Sequence, residues 1–132
     1  MRSFLKFWFP LGAYSAIIFF LSSLPATKVV LPFTVWDKLL HVLEYAPLGL
    51  LWARALKQCR HWPYLMLWAI SVLLAYLYGL TDEFHQSLTP GRESSLWDAC
   101  ADLIGADFGT GIYLFIQQRY QAKKEVEGHV SA

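Results

Sequence analysis

The chain has 132 residues, of which 56% are hydrophobic and 17% aromatic, and its formal net charge is +1. A soluble globule of this size would have too little polar surface to coat itself, so composition excludes an ordinary water-soluble domain and points to a bilayer as the missing apolar solvent. The near-neutral charge excludes a general basic field for nucleic acid, because basic residues cluster only in short runs at Lys57–His61 and Arg119–Lys124.

The first apolar block runs from Phe4 to Leu24 behind Arg2 and Lys6. It is too long and too rich in phenylalanine for a signal-peptide core, and it lacks a clean small-x-small cleavage site, so an uncleaved membrane anchor is expected. Pro25 and Pro32 keep the following loop, with Lys28, from continuing as helix. The second block, Trp36 to Leu56, is preceded by Thr34, and Thr34 to Asp37 fits the hydroxyl-to-acid capping pattern. The third, Pro63 to Leu80, starts with proline at a first helical turn. Thr89-Pro90-Gly91-Arg92 reads as a turn into the fourth block, Leu96 to Gln117, where Ser95 and Asp98 repeat the capping pattern. Each block can span roughly 30 Å of hydrocarbon at about 1.5 Å per helical residue.

These blocks predict an all-α membrane protein, a four-transmembrane-helix bundle occupying residues 1–120, followed by a polar tail at 121–132 with no apolar periodicity and hence a frayed or disordered character. Arg2, Lys6, Arg54, Lys57, Arg60, Arg119, Lys123 and Lys124 fall on one side, against Lys28, Lys38 and Arg92 on the other. That asymmetry predicts cytoplasmic N- and C-termini. Cys59 and Cys100 then lie on opposite membrane sides and cannot form a bridge. Trp8, Trp36, Trp52, Trp62 and Trp97 sit near helix ends, as interfacial belt residues do.

Ionisable groups inside spanning helices are expensive and mark protein, water or a partner. On the second helix Asp37, His41, Glu44 and Leu48 share one stripe, with Tyr45 at its edge; on the fourth, Asp98, Asp102, Gly105 and Gly109 repeat that spacing. Asp82, Glu83, His85 and Gln86 close the third helix, and Arg92 follows in the turn. Three helices thus bring polar groups to the outer half of the membrane. Taken singly, Asp37 and Asp98 can be capping acids, Lys38 a snorkelling or ion-paired residue, and His41 a hydrogen-bonded core histidine. Glu44 lies about 10 Å along the helix beyond Asp37, too deep for free hydration. Gly105 and Gly109 form a small-xxx-small pattern suited to close helix contact. Asp107 falls opposite the Asp98–Asp102 stripe, and nothing in the sequence gives it a partner.

At these residues the chain resembles the VanZ-like family of bacterial membrane proteins. The resemblance is carried by Ser22-Ser23-Leu24-Pro25, Asp37-Lys38-x-x-His41-x-x-x-Tyr45, Asp82-Glu83-x-His85-Gln86 and Pro90-Gly91-Arg92-x-x-Ser95-x-x-Asp98, in order over residues 20 to 117. The family pattern commonly has Asn where this chain has Asp102. The resemblance implies a protein of the bacterial cytoplasmic membrane, of the kind named for teicoplanin resistance, and a place in a proposed wider group of lipid-headgroup enzymes.

The leading expectation is an enzyme that processes the headgroup of a phosphate-linked lipid or envelope precursor at the outer leaflet. His41 is the expected base or nucleophile, Asp37 or Glu44 its orienting acid, and Asp82 or Glu83 the acid partner. Arg92 is the expected phosphate clamp, with Tyr45, Gln86, Ser95, Asp98 and Asp102 completing the substrate-binding set. Acids outnumber bases here, so a divalent cation (magnesium, calcium or manganese) held among Asp82, Glu83, His85, Asp98 and Asp102 is an additional expectation. The alternative is a non-catalytic protein that binds or shields a lipid-linked precursor. A proton-coupled transporter ranks last, because only Asp107 continues the polar set inward.

Overall fold

The computed structural model describes residues 2–25, 34–92 and 94–130. Among them are four helices and no strand: α1 (Arg2–Ser22), α2 (Thr34–Cys59), α3 (Tyr64–Ser87) and α4 (Leu96–Val130). The expected extended loop with Lys28 and Pro32, and the capping side chain of Thr34, lie outside what is described.

Phe4–Ser22, Tyr64–Ser87 and Leu96–His129 are long and apolar enough to cross a membrane, since about 20 apolar residues span the hydrocarbon. α2 is 26 residues long, but His41, Glu44 and Arg54 interrupt its apolar run and leave it outside that group. The burial pattern is inverted relative to a water-soluble bundle. Phe9, Leu43, Phe84 and Phe108 stand outside, whereas Asp82, Glu83, Asp98 and Asp102 are buried. The neighbours Glu83 and Phe84 make the contrast plain, at 6% and 68% exposed. Water would favour the opposite arrangement; hydrocarbon favours this one.

α2 lies centrally, with its broadest contact against α4, while α1 rests on α2 and more lightly on α3. Glycine permits the α2–α4 approach. A Cβ at Gly49 would strike the Ala106 backbone, one at Gly105 the Val42 backbone, and one at Gly109 the Ala46 backbone. Because lipid supplies no hydrophobic force between helices, such close backbone contact is what holds them. The small-xxx-small reading of Gly105 and Gly109 therefore describes real helix contact, and Gly49 answers it from α2.

One sequence expectation needs correction here. α4 does not end at Gln117 but continues to Val130, so most of the tail at 121–132 is helical rather than frayed. Its residues are good helix formers, Lys123 and Glu127 pair across one turn at 3.7 Å, and Gln121 accepts a hydrogen bond from Tyr64 of α3 at 2.9 Å. Trp8 and Trp52, expected as belt residues, meet edge to face at 6.2 Å and flank the core around Leu11, Ile18, Tyr45 and Leu48. Asp107 also acquires a partner, the indole N–H of Trp68, which donates to it at 2.8 Å. Both cysteines are exposed free thiols.

Candidate functional site

The turn after α3 sets the geometry of one bundle end. Pro90 and Gly91 occupy its central positions, Gly91 has φ 78°, and Arg92 N–H donates to the Thr89 carbonyl at 3.1 Å. Proline followed by a left-handed glycine is the pattern of a type II turn. The chain then enters α4 at Leu96, with the Ser95 hydroxyl accepting from the Trp97 N–H at 3.2 Å.

The expected reciprocal cap between Ser95 and Asp98 is not formed. Glu83 of α3 takes the Ser95 N–H instead, at 2.8 Å, and Asp98 is left to accept from Lys38 of α2 at 2.6 Å. One turn further along α4, Asp102 meets His41 of α2, with Oδ1 2.8 Å from Nδ1. Asp102 is fully buried and His41 is 7% exposed. Asp102, rather than the expected Asp37 or Glu44, therefore holds the imidazole. Asp37 is exposed at the rim, and its carboxylate, His41 and Asp98 offer ligand atoms within 4.8 Å of one another. Glu44 is half-buried, and its described contribution is a backbone carbonyl that accepts from the Tyr14 hydroxyl at 2.9 Å.

A second polar group ties α3 to α1. Ser22 donates to Asp82 Oδ1 at 2.6 Å, and Gln86 donates to Asp82 Oδ2 at 2.9 Å. The Ser23 hydroxyl and His85 Nε2 lie 2.9 Å apart, and the His85 ring stacks on Phe19 at 4.4 Å. Arg92 donates from Nε to the Leu24 carbonyl at 3.1 Å and from Nη2 to the Leu21 carbonyl at 3.2 Å. The Leu21 carbonyl also accepts from the Leu24 N–H at 3.2 Å, so Arg92 adds a second bond there and one at Leu24, capping the end of α1. Arg92, the expected phosphate clamp, thus also caps α1, and Asp82, His85 and Gln86 serve the same junction.

The sequence-predicted residues thus divide into two sets. His41, Glu83, Asp98 and Asp102 come together with Asp37 at the rim, whereas Asp82, His85, Gln86 and Arg92 secure α1. Tyr45 lies completely buried, with no hydrogen-bond partner for its hydroxyl among the described residues. Gly79 was missed. A Cβ there would come within 2.9 Å of Asp102 Oδ2 and 3.2 Å of Tyr45 Cε1, so only glycine on α3 leaves Asp102 its room. A lone glycine inside an apolar helix carried no signal of that contact.

Between α3 and α4 a cavity of about 190 Å³ runs from the serines Ser87, Ser94 and Ser95 to the apolar Leu80, Phe84, Leu96 and Ala99, with Glu83 in its lining. Leu80, Phe84 and Leu96 are exposed on the bundle exterior. The cavity therefore runs from Glu83 to the apolar exterior of the bundle.

An all-helical bundle with apolar exterior, glycine-mediated helix contacts and a buried histidine–carboxylate cluster at one end defines a class of polytopic membrane protein with a polar site. The VanZ/LLP1 family matches residues 4–117, and the chain belongs to that family. No curated protein and no solved structure matches it.

Proposed function

We propose that the protein transfers or hydrolyses the headgroup of a phosphate-linked lipid or lipid-linked envelope precursor, at the outer leaflet of the bacterial cytoplasmic membrane. In this reading α2 is a fourth crossing and both termini are cytoplasmic, as the Lys and Arg asymmetry favours. Glycopeptide resistance of the teicoplanin type would follow from altering or withdrawing such a precursor.

The observation that carries the reading is the His41–Asp102 pair at 2.8 Å, sunk in an apolar bundle with Glu83 and Asp98 around it. Hydrocarbon-facing bundles retain such expensive groups for function. An oxygen nucleophile, water for hydrolysis or an alcohol for exchange, would form a new P–O bond as the bond to the departing alcohol breaks. The cluster would manage the proton moved between them. The cavity between α3 and α4 suits lateral access, since its serines match a headgroup and its Leu80, Phe84 and Leu96 match acyl chains.

The test is incubation of purified protein in bilayers of envelope lipids, with headgroup turnover followed by mass spectrometry. Wild type is expected to release or exchange a headgroup. His41→Gln should lose that activity while staying folded, because glutamine keeps much of the volume but does not shuttle a proton near neutral pH. Lipid retention without turnover would instead favour a binding protein that shields its precursor. Neither turnover nor retention with any envelope lipid would end the proposal.

A further inference from the structure

Beyond that reading, we infer that His41, Glu83 and Asp102 form a divalent-cation site of the magnesium or manganese kind. One ligand atom from each lies within 4.8 Å of the other two, and all three residues are buried. The set differs from the one expected from sequence. It gains His41, on α2, and loses Asp82 and His85, which are engaged with Ser22, Gln86 and Ser23, and Asp98, which accepts from Lys38.

An independent observation points to a missing ligand. Glu83 Oε1 and Asp102 Oδ2 are buried side-chain oxygens without a hydrogen-bond partner among the described residues, in residues only 6% and 0% exposed. A buried acceptor left empty is costly, and two beside one imidazole are costlier. Charge gives the sign of what belongs there. Lys38 answers Asp98, and Arg92 serves the α1 carbonyls, so the near basic partner of the Glu83 and Asp102 carboxyls is His41. A doubly charged cation balances them and leaves His41 neutral, the form in which imidazole ligates.

The dimensions agree. Octahedral magnesium binds oxygen at about 2.1 Å, which places neighbouring ligands roughly 3.0 Å apart and opposite ones roughly 4.2 Å apart. His41 Nδ1 and Asp102 Oδ1 stand at 2.8 Å, hydrogen-bonded to each other; a cation held by both atoms would replace that bond and its proton. A bound cation would supply charge stabilisation beside a lipid phosphate and lower the pKa of a coordinated water. Three protein ligands leave positions open for both.

The test uses full-length protein in nanodiscs of zwitterionic lipid, titrated with Mn²⁺ and followed by electron paramagnetic resonance. One Mn²⁺ per chain is expected, with coupling to an imidazole nitrogen. His41→Gln should abolish that coupling, and Glu83→Gln should weaken binding at least about tenfold, because the amide can still accept from the Ser95 N–H but has lost its charge. Asp107→Asn, which alters a carboxylate held by Trp68, should bind like wild type. Should either site variant fail to fold, the nitrogen coupling in wild type and its competition by Mg²⁺ still decide the matter. Absence of bound Mn²⁺ at millimolar concentration, binding without nitrogen coupling, or equal loss in Asp107→Asn would overturn the inference. Headgroup turnover that persists in chelator would overturn it while sparing the proposed function. Specific Mn²⁺ binding with no turnover of any lipid would do the reverse.

Discussion

Substituting alanine for single glycines along α4 tests whether helix contact and site geometry are one property. At Gly111 an added Cβ meets nothing within 4 Å, whereas at Gly105 it meets the Val42 backbone and at Gly109 the Ala46 backbone. All three positions lie in the same helix, so the helix-propensity gain of up to about 1 kcal/mol for Gly→Ala is common to them and cancels in the comparison. What remains is overpacking, about 1–3 kcal/mol where a neighbour must move. The neighbour here is backbone, so the whole of α2 has to shift rather than one rotamer. Gly105 lies one turn beyond Asp102, and Val42 follows His41. A displacement on the order of 1 Å at that point would break a 2.8 Å His41–Asp102 bond and is large enough to cost about 100-fold in a positioned reaction. Unfolding in detergent should therefore place Gly105→Ala and Gly109→Ala about 1–3 kcal/mol below Gly111→Ala. Imidazole ¹⁵N spectra should show the His41 environment changed in Gly105→Ala and preserved in Gly111→Ala. Equal stability across the three variants would refute the close α2–α4 contact and every distance that depends on it.

Three further outcomes are expected. A reporter fused after Ala132 should be active only in its cytoplasm-reporting form; activity in the periplasmic form would invert the placement of the polar cluster. Arg92→Lys should loosen the end of α1, costing about 1 kcal/mol and raising amide exchange near residues 20–25, because lysine lacks the fork that reaches two carbonyls. Unchanged stability with lost turnover would favour the phosphate-clamp role. Gly79→Ala should reduce Mn²⁺ binding and turnover by at least about tenfold with a smaller stability cost than Gly105→Ala, since its Cβ would press on Asp102 Oδ2 and Tyr45; intact Mn²⁺ binding would show that Asp102 has slack.

Helices and their polar stripes were legible because lipid simplifies the code: apolar runs must be helical, and ionisable residues within them must face inward. The stripes Asp37–His41 and Asp98–Asp102 follow directly from a period of 3.6. Partner choice was not legible. Ser95 and Asp98 have the spacing of a cap, yet Glu83 from another helix takes the Ser95 N–H and frees Asp98 for Lys38. Nor does local sequence reveal that the carbonyls of Leu21 and Leu24 come within reach of Arg92. The length of α4 was missed for a different reason. An apolar-run criterion stops where the lipid-facing segment stops, whereas a helix of Ala, Lys, Glu and Gln continues on propensity and on the Tyr64–Gln121 contact.

Asp102 is where sequence and site diverge most usefully, since the family pattern commonly places Asn there. Asparagine could still accept from His41 Nδ1–H through its carbonyl oxygen, so orientation of the imidazole does not by itself demand the acid. Charge does. With Asn the cluster keeps Glu83 as its principal negative group, whereas with Asp102 it holds two carboxylates beside His41 and matches a divalent ion. Asp102→Asn should therefore leave the fold nearly unchanged, because volume and one acceptor are retained, yet weaken Mn²⁺ binding by about 10–100-fold. It should not abolish binding, because an amide carbonyl remains an oxygen ligand. Calorimetric titration alongside thermal unfolding separates the two effects. A large stability loss with unchanged Mn²⁺ affinity would assign Asp102 to holding α2 and α4 together, and would leave His41 and Glu83 too few to retain the ion.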